Sequence, residues 1–269
     1  MSTYKFGFLG VGNMGGALAR AAVKTLPGDE IAVSSRTMEK AQAMAQELGC
    51  TALEDGALAL RSDFVFLGVK PQVMPGVLRE LAPILASRRE PVCLVSMAAG
   101  LTLERLGKIL GAEYPMIRIM PNTPAGVGAG MILYTVNSLV TEEMRTEFLR
   151  GMAGAGKFDE LPESLMDAGS GLSGCGPAYV CQFVEALADG GVVCGLPRAK
   201  AQMYAAQVVL GTAQMILESG SHPGELKDAV CSPGGSTIRG VRVLEERALR
   251  GAVMDAVIAA YERSQELGK

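Results

Sequence analysis

The first 120 residues alternate short apolar runs with segments of helical periodicity. The strand-like runs lie at 5–9, 31–33, 63–69, 92–97 and 116–120. The helical patterns between them lie at 14–25, 38–48, 73–85 and 103–110. Strands that alternate with helices of this length predict a parallel, doubly wound sheet. Because both faces of such a sheet are buried, its strands carry few polar side chains.

The character of the chain changes near residue 160. Long helical stretches rich in Ala, Leu and Met are predicted at 164–194, 197–219, 223–231 and 237–267, with no strand among them. Their apolar residues are spread around each helix, and a helix that is apolar on nearly all sides needs neighbours on all sides. We therefore expect a sheet domain at 1–160 and a helical domain at 161–269, the second forming a symmetric interface between subunits.

Composition excludes several functional classes. The 25 Lys and Arg residues nearly balance the 28 Asp and Glu residues, which argues against a nucleic-acid binder or a basic membrane-surface protein. Six irregularly spaced cysteines and one histidine do not form a ligand cluster, so we expect no metal site. The uncharged stretches 119–141 and 201–217 are broken or too short to span a membrane. With no export signal before the first strand, we expect a cytoplasmic protein.

A glycine-rich turn joins the first strand to the first helix. Gly10, Gly12 and Gly15 form a G-x-G-x-x-G pattern, in which they permit a tight turn, the approach of a pyrophosphate and close helix–strand packing, respectively. The helix that starts at Asn13 and Met14 offers free N–H groups and a partial positive charge to the phosphates. The pattern in this context predicts a dinucleotide-binding site.

The end of the second strand bears on which dinucleotide binds. It carries Ser34, Ser35 and Arg36, with no acidic residue before Glu39. Enzymes that use NAD usually place Asp or Glu here to bind the ribose 2′-hydroxyl, whereas an Arg accommodates a 2′-phosphate. The three residues therefore favour NADPH over NADH. In the alternative interpretation, Ser35 caps the next helix and Arg36 is a solvated surface charge.

Three further loops follow strand ends, where ligands of open α/β sheets bind. We expect six of their residues to line the cofactor crevice: Val69, Lys70, Pro71, Ala98, Ala99 and Asn122. Lys70 is equally explained as an ordinary lysine at the start of a helix.

The helical half contains two glycine-rich signatures. In 173–179, Gly and Pro stand inside a helical pattern, where they lower helix stability by about 1 and 3 kcal/mol. We expect a closely packed neighbour to offset this loss, either a nicotinamide or another helix. In 228–238, Pro233, Gly234 and Gly235 break the helix and leave N–H groups free to bind a carboxylate. The hydroxyls that would bind a second substrate atom are those of Ser232, Ser236 and Thr237. The alternative is an ordinary interhelical loop.

Together these motifs resemble the motif series of the pyrroline-5-carboxylate reductase family. The matching segments occur in the family's order and cover essentially the whole chain: 10–15, 69–71, 120–124, 172–179, 195–198, 218–224 and 232–237. The last motifs are specific to the family, whereas the first is common to dinucleotide-binding enzymes. Cys175 stands where the family more often has Ser.

The resemblance implies reduction of 1-pyrroline-5-carboxylate to L-proline, the last step of proline biosynthesis, by hydride from NADPH, with NADH as the alternative. It assigns Thr237 to hydrogen bonding or proton donation to the ring nitrogen, and the N–H groups of Gly234, Gly235 and Ser236 to the substrate carboxylate. Glu163 either balances the cationic ring or is an acid at a helix N-terminus. His222 precedes a proline and is expected to organise a turn.

The resemblance also implies a Rossmann-type doubly wound sheet followed by an all-α dimerisation domain. Dimers of the family are often assembled into rings, and the substrate pocket is expected where the cofactor domain of one subunit meets helices partly from the other. Two other classes of protein share some of these features. A hydroxyacid dehydrogenase of the 3-hydroxyisobutyrate type needs a lysine beside the glycine-rich signatures, and none is placed there. A non-catalytic NADP-binding sensor would not need the intact 232–237 loop.

Overall fold

Residues 3–267 are described by the structure, a computed structural model. They form two compact units, one of residues 3–175 with 260–267 and one of residues 176–259. Residues 161–175 therefore pack with the sheet, although they follow the division predicted at 160. That predicted domain boundary stays a prediction.

Eight strands form one sheet in the order β3-β2-β1-β4-β5-β6-β7-β8. Their bounds are β1 Tyr4–Leu9, β2 Ile31–Ser34, β3 Thr51–Ala52, β4 Ser62–Leu67, β5 Cys93–Ser96, β6 Met116–Met120, β7 Gly130–Val136 and β8 Gly156–Glu160. All neighbouring strands are parallel except β6 and β7, which are antiparallel. The predicted doubly wound sheet is confirmed, with this one antiparallel pair as a correction. It arises because only a short loop joins β6 to β7, and parallel neighbours need a longer crossover.

Seven helices accompany the sheet: α1 Asn13–Ala22, α2 Met38–Leu48, α3 Asp55–Arg61, α4 Met74–Ala86, α5 Leu103–Leu110, α6 Glu142–Met152 and α7 Met166–Gly169. Helix α2 ends at Gly49, whose φ of +65° gives the left-handed C-cap that the sequence predicts. Helix α5 begins after Thr102, whose hydroxyl accepts a hydrogen bond from the Arg105 N–H. Helices α1, α2, α4 and α5 agree with the predicted alternation, whereas α3 and α6 were not predicted.

The core lies on both faces of the sheet. On one face, Phe6, Phe8, Phe64 and Phe66 pack together with Phe148 of α6, and the Phe8 and Phe66 rings stack at 4.4 Å between centroids. The other face is aliphatic, with leucines of β1, β4, α4 and α5. This packing holds the carboxyl ends of β1 and β4 side by side, where the predicted cofactor loops begin.

The remaining helices are α8 Gly176–Val193, α9 Arg198–Ser219, α10 Pro223–Ala229, α11 Ser236–Glu246 and α12 Leu249–Leu267. Two long helices predicted from sequence are wrong in their continuity. A π-helical turn at Ser170–Gly174 interrupts 164–194, and the break at Arg247 and Ala248 divides 237–267 into α11 and α12. Ala248 has a φ of +56°, and no Gly or Pro marks that break in the sequence.

Residues 176–259 bury few side chains within the single chain. Their buried cluster consists of Ala188, Ala201 and Ala205. Many large apolar side chains stay exposed, among them Val193, Met203, Val208, Leu210, Leu217 and Met254. Exposed apolar surface on this scale is typical of a protein–protein interface. No helix within residues 3–267 is long and apolar enough to cross a membrane.

Candidate active site

A cleft of about 530 Å³ opens at the carboxyl ends of β1, β2 and β4. The strand order reverses here, with β2 and β3 on one side of β1 and β4 on the other, and ligands of open α/β sheets bind at such a point. The lining residues are Leu9, Gly10, Val11, Gly12, Ser35, Arg36, Thr37, Lys40, Asp55, Gly68, Val69, Lys70, Val73 and Val77. The cleft therefore brings together the turn after β1, the segment after β2, the start of α3 and the loop after β4.

The glycines of the first turn have distinct surroundings. Gly10 has a φ of +93°, and a Cβ there would lie 2.9 Å from the Gly68 carbonyl oxygen. A Cβ on Gly15 would overlap the Gly10 carbonyl oxygen, so α1 packs on β1 only because that side chain is absent. A Cβ on Gly12 would meet nothing within 4 Å. The predicted turn and packing roles of Gly10 and Gly15 are confirmed, and the space beside Gly12 is open to a ligand.

The N-terminus of α1 is uncapped. Gly12 is the N-cap residue and supplies no side chain, and the first turn carries no acidic residue. The N–H groups of Asn13 and Met14 lie among the first four of the helix, which have no acceptor within it. Together with the helix dipole, these groups favour an anion beside Gly12.

The far end of the cleft is cationic. Arg36 and Lys40 both line it and are exposed, and neither forms an ion pair within residues 3–267. Lys40 was not predicted, although its position four residues after Arg36 could have indicated it. Asp55, at the start of α3, is the one acidic side chain among the described lining residues. It was also missed, because the short helix α3 was not predicted.

Ser34 and Ser35 differ in position. Ser35 lines the cleft, as predicted for a cofactor ligand. Ser34 is instead buried at the end of β2, and its carbonyl oxygen accepts hydrogen bonds of 3.1 Å from the N–H groups of Gly10 and Val11. Its side chain does not line the cleft, because alternate residues of a strand face opposite sides. Ser34 thus holds the glycine turn against β2.

The loop after β4 contributes Val69 and Lys70 to the cleft. Lys70 is also the residue that starts the turn into α4, since its carbonyl oxygen accepts hydrogen bonds from the Val73 and Met74 N–H groups. Both interpretations of Lys70 therefore fit its position. Pro71 and Ala99 line a neighbouring cavity of about 260 Å³, while Ala98 is buried.

Asn122 has structural contacts that sequence reasoning missed. The side chain is buried, its Nδ2 donates to the Ser173 carbonyl oxygen at 2.9 Å, and its Oδ1 accepts from the Met131 N–H at 3.1 Å. One N–H and one lone pair remain for a ligand. A cofactor contact by Asn122 stays a prediction, but its main partners are the β7 start and the π-helical turn.

Glu163 is held by cationic and backbone donors rather than left free. Its Oε1 accepts from Arg118 Nη1 at 3.1 Å and from the Leu103 N–H at 2.8 Å. Arg118 Nη2 donates to Asp167 Oδ1 at 3.2 Å. Glu163 is the first residue of the short helical turn Glu163–Leu165, as its alternative role at a helix N-terminus predicts, and its carboxylate also caps the start of α5 at Leu103. A further role in balancing the substrate ring stays untested.

The predicted substrate loop is an uncapped helix start. Gly234 has a φ of +72°, and Gly235 is the N-cap of α11 without a side-chain cap. The Gly235 N–H, predicted as a carboxylate donor, instead donates to the Ser232 carbonyl oxygen at 3.0 Å, because the chain turns back tightly there. This prediction is corrected. The N–H groups of Ser236 and Thr237 remain without a helical acceptor.

The hydroxyls of this loop are accessible in the single chain. Ser232, Ser236 and Thr237 are all exposed, and Cys231 beside them is half-buried.

His222 organises the turn before α10, as predicted, because its Nδ1 accepts a hydrogen bond from the Gly224 N–H at 3.0 Å. Residues 3–267 contain no cluster of His, Cys, Asp and Glu that could hold a metal ion.

The sheet, the glycine-lined cleft at its switch point and the helical half define a pyridine-nucleotide-dependent oxidoreductase with a helical dimerisation domain. A family model described as pyrroline-5-carboxylate reductase dimerisation matches residues 163–267. A second, described as NADP oxidoreductase, coenzyme F420-dependent, matches residues 5–100.

Full-length relatives give the family. The pyrroline-5-carboxylate reductase of Escherichia coli is 44% identical over 269 residues, which cover 98% of each chain. That of Glycine max is 42% identical over 98% of this chain and 96% of its own. The crystal structure of the Plasmodium falciparum enzyme with NADP bound is 32% identical, covers 100% of both chains and gives a TM-score of 0.88. The chain belongs to the pyrroline-5-carboxylate reductase family. It is an oxidoreductase by that membership, and the two alternative classes considered from the sequence are not supported.

Proposed function

We propose that this chain reduces 1-pyrroline-5-carboxylate to L-proline with NADPH held in the cleft between β1, β2 and β4. The observation that carries the assignment of the site is the pair of uncapped helix starts. One opens α1 beside Gly12 and the other opens α11 beside Gly235. A dinucleotide pyrophosphate and a substrate carboxylate are two anions of the kind that such N-termini bind. NADPH supplies a hydride, so no metal and no protein nucleophile are needed.

The cofactor is recognised at its two phosphate positions. The N–H groups of Asn13 and Met14 would hold the pyrophosphate, in the space that Gly12 leaves open. Arg36, Lys40 and Ser35 would hold the 2′-phosphate. Support comes from the exposure of both cations, which line the cleft without an ion pair within residues 3–267. The residues of the loops after β4 to β6 face the nicotinamide end, namely Val69, Lys70, Pro71, Ala98, Ala99 and Asn122.

The substrate carboxylate binds at the start of α11. The N–H groups of Ser236 and Thr237 donate to it, and Gly234 keeps the approach free of side chains. Ser232 lies beside this site, because a Cβ on Gly235 would be only 2.8 Å from its hydroxyl oxygen. No arginine is needed, since main-chain donors and the helix dipole stabilise the charge.

Thr237 acts on the ring nitrogen. Its hydroxyl would donate a hydrogen bond to that nitrogen and so keep the imine polarised. A hydroxyl is a poor acid, so we assign orientation and proton relay to Thr237 rather than strong acid catalysis. Efficient transfer requires the two reacting carbons to approach to about 3–3.5 Å.

The assembly is a homodimer through the helices of residues 176–259, and we include rings of dimers and a cytoplasmic location in the proposal. Support comes from the dimerisation family model over residues 163–267 and from the apolar side chains left exposed in one chain.

The test of the proposed function is oxidation of NADPH on addition of 1-pyrroline-5-carboxylate, with L-proline identified as the product. Absence of turnover at saturating substrate, with NADPH binding intact, would contradict the function.

A further inference from the structure

Among the described residues, Arg118 is the only charged residue whose side chain is buried. It lies in the middle of β6, and its side chain is 2% exposed. Its two Nη atoms donate to Glu163 at 3.1 Å and to Asp167 at 3.2 Å. Its Nε is buried without a hydrogen-bond acceptor. Arg118 is therefore a costly group for the interior of a sheet.

The ion cluster of Arg118, Glu163 and Asp167 connects three segments of the sheet unit. Through Glu163 it reaches the Leu103 N–H, at the start of the helix that follows the loop of Ala98 and Ala99. Arg118 itself lies two residues before the Met120–Asn122 loop. Asp167 belongs to α7, which runs directly into the π-helical turn whose Ser173 carbonyl oxygen accepts from Asn122.

Stability alone does not account for this cluster. Buried ion pairs are weak contributors to stability, and apolar residues of similar volume often hold a core equally well or better. An unpaired Nε adds a further desolvation cost. What a forked guanidinium provides, and an apolar side chain lacks, is a fixed geometry between several acceptors.

The three connected segments lie on the nicotinamide side of the cleft. In a doubly wound sheet, the two halves of a dinucleotide lie over the two halves of the sheet. The proposed adenosine end is at Arg36 and Lys40 after β2, so the nicotinamide end lies over β4 to β6. The cluster thus holds the loops after β5 and β6 at that end.

We infer that Arg118 is a positioning residue for hydride transfer, acting through Glu163, Asp167 and Asn122 on the loops that border the nicotinamide. The inference rests on the proposed function of the cleft. Misplacement of reacting groups by about 1 Å costs on the order of 100-fold in rate, even when the change is far from the chemistry. Binding of NADPH depends on the other end of the cleft and changes little.

The experiment compares Arg118→Met and Arg118→Lys with the control Arg145→Met. Arg145 also bridges two carboxylates, Glu142 and Glu160, but it lies in α6 beside the edge strand β8, with its side chain 33% exposed. The readouts are the Kd for NADPH, kcat per folded subunit and the deuterium isotope effect on kcat with NADPH labelled at the transferred position. Arg118→Met lowers kcat about 10- to 100-fold, leaves the Kd within about threefold and raises the isotope effect, because hydride transfer becomes slower than product release. Arg118→Lys gives an intermediate kcat, and Arg145→Met matches wild type.

A normal kcat and isotope effect in folded Arg118→Met overturns the inference, whatever the change in melting temperature. If that variant does not fold, the single variant Asp167→Asn takes its place, since its side chain is 29% exposed and Glu163 still balances the charge of Arg118. Unchanged kcat and isotope effect in Asp167→Asn also overturn the inference. Failure of the proposed function is distinct, because wild type itself would then not turn over 1-pyrroline-5-carboxylate.

Discussion

Burial sets the acidity of one core thiol. Cys93, at the start of β5, is 1% exposed, and burial raises its pKa from 9.0 to about 12. The thiol ionises in the unfolded chain at a lower pH than in the folded protein, so its stabilising contribution is complete below pH 9 and declines up to pH 12. The decline is about 1.4 kcal/mol per pH unit in that range.

We therefore predict that Cys93→Ala flattens the alkaline part of the stability profile. Urea unfolding at several pH values between about 8 and 11 gives the free energy of unfolding at each pH. The loss of stability caused by the cavity in Cys93→Ala does not depend on pH and is subtracted. Cys181→Ala, at an exposed cysteine, is the control and keeps the wild-type slope. An equally steep profile for Cys93→Ala would count against this origin of the slope.

Thr237 provides a test of the substrate site. Thr237→Ala removes the hydroxyl that we propose hydrogen-bonds the ring nitrogen, and we expect kcat to fall about 10- to 100-fold with NADPH affinity unchanged. Thr237→Ser keeps the hydroxyl and retains most of the rate. Steady-state kinetics and NADPH titration measure both, and full activity of Thr237→Ala would remove Thr237 from the reaction.

The cationic end of the cleft provides a test of the proposed cofactor preference. Arg36→Ala and Lys40→Ala each remove a charged donor proposed for the 2′-phosphate, worth about 1.5–3 kcal/mol, or roughly 10- to 100-fold in Kd. We expect that loss for NADPH and a much smaller one for NADH, which lacks this phosphate. Arg20→Ala, which removes an exposed ion pair with Glu47 on the same unit, is the control. Equal losses for both cofactors would exclude the assignment.

At the scale of elements, the junction between α11 and α12 stores backbone strain. Ala248 has a φ of +56°, which costs a residue with a Cβ about 1 kcal/mol or more and costs glycine almost nothing. We predict that Ala248→Gly raises the free energy of unfolding by up to about 1 kcal/mol, less the greater entropy of glycine in the unfolded chain. Thermal unfolding checks this, and Ala252→Gly inside α12, where the change destabilises, is the matched control.

The elements differ in how far the sequence determines them. The bounds of α5 and β6 agree with the prediction because amphipathic periodicity, a Thr cap and a buried apolar run all coincide there. Strand β8 was not predicted because its charged residues suit an exposed edge and leave no apolar run. The break at Ala248 has no local signal, since neither Gly nor Pro stands at 247 or 248.

The same distinction holds in the site. The glycine turn could be predicted because its geometry is local to the first strand and helix. The contacts of Asn122 with Ser173, and of Glu163 with Arg118, join residues 51 and 45 positions apart. Such contacts depend on tertiary structure that a single sequence does not display. The prediction for Gly235 failed for a local reason. The sequence pattern suggests that its N–H group is free, but the tight turn uses this group in a hydrogen bond to the Ser232 carbonyl oxygen.

At the scale of the molecule, the exposed apolar side chains of residues 176–259 predict the effect of an interface substitution. Leu210 of α9 is 60% exposed in the single chain. Leu210→Glu introduces a charge into the homodimer interface, and we expect dissociation to monomers with NADPH binding by the sheet unit retained. Sedimentation or light scattering measures the mass, and Leu60→Glu, at a 47% exposed leucine of α3, is the control that stays dimeric. A dimeric Leu210→Glu would place the interface elsewhere.

The three alanines that form the buried cluster of residues 176–259 have a consequence for how the protein is made. So small an interior leaves each newly synthesised chain unfinished until a second copy completes it, and the yield of native protein then rises with the local abundance of chains. In a cell that carries an intact and a defective gene copy, both products enter shared assemblies. A substitution that spares these helices while disabling the cleft would therefore yield assemblies that mix active and inactive subunits.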